Sequence, residues 1–198
     1  MLRGRAAEMG DGELVALAQE GDHEAFEELV ERYKQKAYRI AFDFTRDREE
    51  AKDLSQEAFL RAFTNIKGFD RQSSFYTWFY RILVNLCVDY QRRRKRVVWE
   101  SMDEKEDKIS QTNGITGTTN SPDRDAMAGE LSRRVEAALA ALPPNQRKAF
   151  ILKNHQGLSI REIAQIMQSA EGTVKVHVHR AVMALRRSLA DFAEGEPE

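Results

Sequence analysis

The chain has 198 residues, of which 41% are hydrophobic and 32% charged, and its formal net charge is −1. This composition is typical of soluble globular proteins and argues against a disordered or membrane-embedded chain. No apolar stretch approaches the roughly 20 residues that span a bilayer, and the N-terminus has no signal-peptide core. We therefore expect a cytoplasmic protein without membrane insertion.

The near-neutral total hides an uneven distribution of charge along the chain. Residues 1–99 hold 18 Lys and Arg against 17 Asp and Glu, and residues 100–128 hold 3 against 7. Residues 129–190 hold 10 basic against 4 acidic residues, whereas residues 191–198 hold only 4 acidic ones. A basic segment between two acidic ones indicates a polyanionic partner, with nucleic acid the first candidate.

Apolar residues recur at three-to-four spacing while strand signals are scarce, so the sequence predicts an all-α protein. Asp11 is a candidate N-cap for a short first helix that ends near Gly21, and Asp22 for a longer second helix. The second helix carries one continuous apolar stripe, which must be buried against another part of the protein. Its members are Phe26, Leu29, Val30, Tyr33, Ala37, Ile40, Ala41 and Phe44.

Two further helices are predicted in the N-terminal half. Asp47 and Glu50 have the spacing of a capping box and open the third helix, with Phe63 among its inward residues. A polar loop from Gly68 to Ser74 separates it from a fourth helix over about residues 75–96.

The single cysteine, Cys87, excludes an internal disulfide and any multi-cysteine metal cluster. It lies within the apolar run of residues 82–88. We interpret it as a buried small hydrophobic residue rather than a reactive thiol.

Helical periodicity disappears from about Val97 to Arg124, where the sequence is first highly charged and then polar and turn-rich. A structureless segment of that length is unusual inside one compact domain. The sequence therefore predicts two small helical domains, residues 1–96 and 129–192, joined by a flexible acidic linker over residues 97–128. An acidic tail follows at residues 193–198.

The C-terminal half has the pattern of a helix-turn-helix. Pro144 suits the first turn of a helix that Gly157 ends, and Ser159 and Glu162 have capping-box spacing at the start of the next. A short turn at residues 168–171 precedes a final helix with an inward apolar face. Together these features are typical of a DNA-binding helix-turn-helix.

The outward face of the final helix is mainly polar and basic, so its side chains can reach major-groove base edges and phosphates. Its residues are Thr173, Lys175, Val176, His177, His179 and Arg180. An ordinary helical hairpin with a solvated basic face is the alternative. The two histidines lie two residues apart and point in different directions on a helix, so we expect no metal site.

Several motifs in this order resemble the sigma factors of bacterial RNA polymerase. Residues 53–63 resemble sigma region 2.2, and residues 74–82 with Asn85 resemble regions 2.3 and 2.4. Residues 141–147, 158–164 and 172–175 are similar to regions 4.1 and 4.2. The lack of a folded region 3 between them is typical of the extracytoplasmic-function (ECF) group.

The resemblance implies a docking face for core RNA polymerase on the third helix. Its residues, which match the surface that binds the β′ clamp coiled coil, are Asp53, Gln56, Glu57, Leu60 and Arg61. A mixed-charge surface suits specific binding of another polar helix pair, because charge complementarity sets register and partner choice. Without the family context, a solvated helix face is an equally good interpretation.

The resemblance also implies that the loop before the fourth helix captures a flipped base of the −10 promoter element. Aromatic walls and polar edges offset the cost of unstacking one base. The candidates are Asp70, Ser74, Phe75, Tyr76, Trp78, Asn85 and Asp89, with Arg92, Arg93 and Arg94 on phosphates. For Trp78 a structural role in the core has equal weight.

For the −35 element, the matching positions are the six residues of the final helix together with Arg161 and Glu171. The implied partners are core RNA polymerase, through its β′ clamp coiled coil and β flap, promoter DNA, and an anti-sigma factor. No cofactor is implied. The acidic residues 100–107 match a linker that threads the RNA exit path, although a solvated tether fits the composition as well.

Two other classes of protein stay open at this point. A nuclease would need clustered carboxylates or another catalytic set, and the sequence has neither these nor a phosphate-binding glycine loop. An ordinary operator-binding regulator would bind DNA tightly by itself, whereas a sigma factor would bind its promoter chiefly in complex with core polymerase.

Overall fold

The computed structural model describes residues 8–102 and 122–193, and all regular secondary structure in these ranges is helical, as predicted. The helices are α1 (Asp11–Glu20), α2 (His23–Thr45), α3 (Arg48–Asn65), α4 (Phe75–Met102), α5 (Pro122–Ala141), α6 (Pro144–Phe150), α7 (Ile160–Met167) and α8 (Glu171–Ala193). A 3₁₀ turn, Ile66–Gly68, follows α3, and a π-helical turn, Ile151–His155, continues α6. Within the described ranges, none of the helices is both long and apolar enough to cross a membrane.

The N-terminal domain is built around α2, which packs against α1, α3 and α4. The apolar stripe predicted for α2 is buried along its length, with Leu29, Ile40 and Phe44 each at most 2% exposed. Fully burying a side chain of this size stabilises the fold by about 1.5–3 kcal/mol. The stripe therefore fixes which faces of the other three helices turn inward.

The helix starts follow the predicted caps except at Asp11, and the capping box predicted at Asp47 is only half formed, because the Asp47 N–H donates to Thr45 Oγ1 at 3.3 Å. Asp22 accepts the Ala25 N–H at 3.1 Å, and Asp47 accepts the Glu49 N–H at 2.9 Å. The prediction that Asp11 caps α1 is wrong, because extended Gly10 is the N-cap and Glu13 accepts the Gly10 N–H at 3.0 Å. Asp11 instead accepts from Arg32 on α2 at 2.9 Å, so its carboxylate ties two helices together.

The fourth helix is longer than predicted, running to Met102 rather than to about residue 96. Neither Gly nor Pro occurs between residues 97 and 102 to end it. Residues 122–128, also assigned to the linker, lie in α5, with Pro122 at its first position. Residues 103–121 of the linker and 194–198 of the tail lie outside the described residues, so their flexibility stays a prediction.

In the C-terminal domain, the predicted capping box is present at the start of α7. Ser159 Oγ accepts the Glu162 N–H at 3.2 Å, and Glu162 accepts the Ser159 N–H at 2.8 Å. The Ser159 hydroxyl, which donates to the Glu162 carboxylate at 2.6 Å, and the Ser159 backbone N–H lower the pKa of that carboxyl. Gln168, with φ 50°, turns the chain into α8, where Val174 and Ala181 are fully buried.

The two domains touch at the C-terminal end of α2. Arg147 of α6 donates to the Phe44 carbonyl at 2.9 Å, while Gln156 and His155 lie 2.8 and 3.0 Å from the carboxylate of Asp43. Burial, with a smaller contribution from nearby Arg46, lowers the pKa of Arg147 to about 10, so this guanidinium stays charged at neutral pH. Helix α7 also packs against α4, which makes the buried core continuous across both domains.

Cys87 is fully buried, as predicted, and burial raises the pKa of its thiol to about 12. Because the thiolate is the reactive form, we expect no reaction of the native protein with a disulfide reagent at about pH 8. The same reagent should modify one thiol per chain once guanidinium unfolds the protein. Rapid modification without denaturant, followed by absorbance, would contradict the buried position.

Candidate polymerase and promoter interfaces

The five residues predicted to dock on the polymerase lie along one side of α3. The opposite side of the helix faces the core, where the side chains of Ala51, Ala58 and Ala62 are fully buried. Leu60 is 63% exposed, the largest exposed fraction among the large apolar side chains of the described residues. Around it lie Asp53, Gln56 and the ion pair between Glu57 Oε1 and Arg61 Nε, 2.7 Å apart.

Phe63 extends this face, although the sequence predicted it to point inward. Its side chain is 41% exposed, and its ring lies 5.5 Å from the His23 ring and 5.1 Å from the Phe26 ring. The ring therefore covers the start of α2 while one side remains in solvent. Together, Leu60 and Phe63 form an apolar strip bordered by charged residues, an arrangement typical of a protein interface.

The aromatic residues at the start of α4 divide into a buried set and a half-buried set. Phe75 is 3% exposed, with its ring parallel to that of Phe79 at 5.8 Å, so it packs in the core rather than offering a face to a base. Trp78 is half-buried and stacks on Phe69 at 4.8 Å. Tyr76 is also half-buried, and burial together with the nearby Glu162 carboxylate raises its pKa.

The loop between Phe69 and α4 is anchored at both ends. Ser74 Oγ accepts the Thr77 N–H at 3.2 Å and so caps α4, which assigns this predicted DNA residue a structural task. Asp70 accepts the Gln72 N–H at 3.1 Å, and Arg71 adopts a left-handed backbone with φ 59°. Such a conformation costs a non-glycine residue of order 1 kcal/mol and persists only where neighbours impose it.

Sequence reasoning missed Gln19, which holds this loop from α1. Its side-chain amide donates to the carbonyls of Ile66 and Phe69, both at 2.8 Å. The signal was its position: Gln19 comes four residues after buried Val15 and next to buried Ala18, on the inward face of α1. A polar residue on an inward face must find hydrogen-bond partners.

Further along α4, the predicted promoter residues point to solvent. Asn85, Asp89, Arg92, Arg93 and Arg94 are all exposed. A groove of about 530 Å³ lies between α3 and α4, lined by Arg61, Leu86, Asp89, Arg92 and Arg93. The groove joins Arg61 of the predicted docking face to the predicted promoter residues, and its three guanidinium groups suit a phosphate.

On the helix-turn-helix, seven of the eight predicted −35 residues are exposed: Arg161, Glu171, Thr173, Lys175, Val176, His179 and Arg180. His177 is half-buried, and its buried Nδ1 has no hydrogen-bond partner among the described residues. It therefore differs from its neighbours, which are fully available to DNA. The described ranges contain no group of three or more His, Cys, Asp or Glu side chains placed to hold a metal ion.

Comparison with protein families matches both halves of the chain. Residues 29–97 match the family model Sigma-70 region 2, and residues 132–185 match Sigma-70, region 4. The ECF RNA polymerase sigma factor SigW of Bacillus subtilis is 34% identical, over 87% of this chain and 92% of the relative. The ECF RNA polymerase sigma-E factor of Escherichia coli K12 is 32% identical, over 90% of this chain and 93% of the relative.

Two solved structures share the fold. CnrH, in complex with the cytosolic domain of CnrY, gives a TM-score of 0.64 at 23% identity, over 91% of this chain and 97% of that one. RpoE of Bartonella quintana, in complex with the anti-sigma factor NepR, gives a TM-score of 0.60 at 24% identity, over 83% of this chain and 96% of that one. The family matches, the relatives and the two-domain helical architecture agree, and the chain belongs to the ECF RNA polymerase sigma factors.

Proposed function

We propose that the N-terminal domain binds core RNA polymerase and opens the −10 element, while α8 reads the −35 element. The observation that carries this proposal is the exposed strip on α3, where Leu60 is 63% exposed among Asp53, Glu57 and Arg61. In this proposal the polymerase performs the chemistry, and this chain contributes binding surfaces for the polymerase and the promoter. It acts where the polymerase meets the chromosome, in the cytoplasm.

The α3 face suits the β′ clamp coiled coil because its apolar and charged parts have separate tasks. Leu60 supplies apolar area for a central contact, and desolvated apolar centres dominate binding energy at protein interfaces. Asp53 and the Glu57–Arg61 pair surround it and select a partner of complementary charge. The second polymerase contact, through the β flap, belongs to the C-terminal domain.

For promoter opening, we assign base capture to the loop of residues 70–74 with Tyr76 and Trp78 beside it. Trp78 is held by its stack on Phe69 yet remains partly exposed, so it can act in the core and against a base. Phe75 contributes as a buried support under Trp78, with the two rings 5.9 Å apart. Asn85 and Asp89 face the promoter along α4, and Arg92, Arg93 and Arg94 bind phosphates.

Reading both promoter elements at once requires the two domains to separate. The −35 and −10 positions are about 25 base pairs apart, or about 85 Å of B-DNA. The contact between Arg147 and the Phe44 carbonyl therefore has to break when the holoenzyme binds. An anti-sigma factor that holds the domains together would block this step, and we propose this mode of control by similarity to RpoE, which was solved with the anti-sigma factor NepR.

The docking role predicts that Asp53→Ala/Glu57→Ala weakens assembly with bacterial core polymerase. The two substitutions remove two carboxylates that complement the partner's charge, and losing two such contacts costs about 2 kcal/mol, so the dissociation constant should rise roughly 30-fold. Fluorescence anisotropy of labelled protein titrated with core polymerase measures it. Promoter-dependent run-off transcription on genomic fragments should fall in parallel.

Glu31→Ala/Lys34→Ala is the matched control, since it removes an exposed ion pair from α2. This variant should assemble and transcribe like the native chain. Equal loss in both variants would contradict docking through α3. Specific DNA binding by the free native protein, without any assembly with core polymerase, would instead support an operator-binding regulator.

The −35 role predicts that Lys175→Ala lowers run-off transcription by roughly tenfold, as expected for one lost base contact. It should also reduce the response to base changes at one position of the −35 element. Arg187→Ala, near the other end of α8, should weaken binding uniformly and make it less salt-dependent. Equal base selectivity in both variants, measured on a set of mutant promoters, would contradict reading by the start of α8.

A further inference from the structure

The side chain of Gln19 uses all of its main hydrogen-bonding groups on one segment of the chain. Both N–H donors of its amide are engaged, one with the Ile66 carbonyl and one with the Phe69 carbonyl, each at 2.8 Å. Its oxygen accepts from Arg71 Nε at 3.0 Å and Arg71 Nη2 at 2.5 Å. A glutamine offers two donors and one acceptor oxygen, so this side chain is fully satisfied.

These contacts fix the segment that leads into the proposed base-capturing loop. Ile66 is the first residue of the 3₁₀ turn and Phe69 follows its last, and both side chains are buried, at 2% and 6% exposure. The Phe69 ring stacks on Trp78, while its carbonyl is held by Gln19. Ser74 caps α4, so the loop of residues 70–74 is fixed at its start by the Phe69 carbonyl and at its end by Ser74.

Arg71 lies in the middle of the loop in a left-handed backbone conformation. Its guanidinium reaches back to Gln19, so the same glutamine holds the loop at its start and at its strained residue. A loop that is ordered before binding loses less conformational entropy when it takes up a ligand. The capture site is thus formed before DNA arrives.

We propose that Gln19 is a positioning residue for −10 base capture, acting through the Ile66 and Phe69 carbonyls from a helix remote from the promoter face. The proposal rests on the proposed function of the 70–74 loop. Gln19 itself does not touch DNA. Its loss removes the donor that Gln19 supplies to the Phe69 carbonyl and leaves the Ile66 carbonyl with the Phe69 N–H at 3.1 Å, so the segment before the loop is held less firmly.

Two substitutions separate the parts of this contact. Gln19→Ala removes both the donors and the acceptor. Gln19→Glu keeps oxygens for Arg71 but cannot donate to the two carbonyls, because an ionised carboxylate is acceptor-only. If the donors position the loop, both variants lose base capture. Gln35→Ala removes an exposed glutamine from α2 and is the matched control.

The experiment compares holoenzymes made with core polymerase. Run-off transcription first identifies a promoter, and each holoenzyme is then titrated with its single-stranded non-template −10 oligonucleotide, intact or abasic at the captured position. The measured quantity is the dissociation constant for the abasic oligonucleotide divided by that for the intact one. This ratio does not depend on the active fraction of protein. In Gln19→Ala and Gln19→Glu this ratio should fall roughly tenfold, the size expected when buried polar groups lose a partner.

The variant proteins should bind core polymerase as the native protein does, because the Gln19 amide donates to the Ile66 and Phe69 carbonyls and not to the predicted docking residues of α3. An unchanged ratio in Gln19→Ala or in Gln19→Glu would overturn the positioning role. A fall in core affinity as large as the fall in the ratio would show a general folding defect and also overturn it. If the native chain yields no promoter-dependent transcript, the proposed function fails first, and this inference with it.

Discussion

Burial of the α2 stripe is the constraint on which the rest of the N-terminal domain depends. Leu29, Ile40 and Phe44 leave solvent almost completely, and α1, α3 and α4 are arranged to cover them. Once one face of α3 is committed to this core, its other face must be solvent-exposed. The surface around Leu60 is therefore a direct consequence of the packing, and the proposed docking uses the face that the core leaves exposed.

A second constraint is the set of free carbonyls at helix ends, which long polar side chains satisfy. Gln19 bonds the carbonyls beyond α3, and Gln91 and Arg147 both donate to the Phe44 carbonyl at the end of α2, at 2.6 and 2.9 Å. Helix termini leave several carbonyls without intrahelical partners, and the bonds to the Phe44 carbonyl replace missing ones, whereas the Ile66 carbonyl also accepts the Phe69 N–H at 3.1 Å. They also connect segments far apart in sequence, including the two domains.

The domain contact and the promoter geometry impose opposite requirements on one chain. Packing of α7 on α4 and the Asp43, Gln156 and His155 cluster hold the domains together. In the proposed function the chain binds two promoter elements about 85 Å apart, and this requires the two domains to separate. Polar contacts can exchange for water at modest net cost, so an interface closed partly by hydrogen bonds can open when the polymerase supplies larger surfaces.

The sequence by itself determined the all-α class, the helix starts at Asp22, Asp47 and Ser159, and the exposed faces of α3 and α8, because caps and periodicity are local. It also located Cys87 in the core, since the residue lies within an apolar run. Only the tertiary structure decided that Phe75 is buried, that Phe63 is exposed, and that Gln19 reaches the loop. Those outcomes depend on contacts across about 50 residues of chain, such as Gln19 with Phe69, and no local pattern encodes which partner a side chain meets.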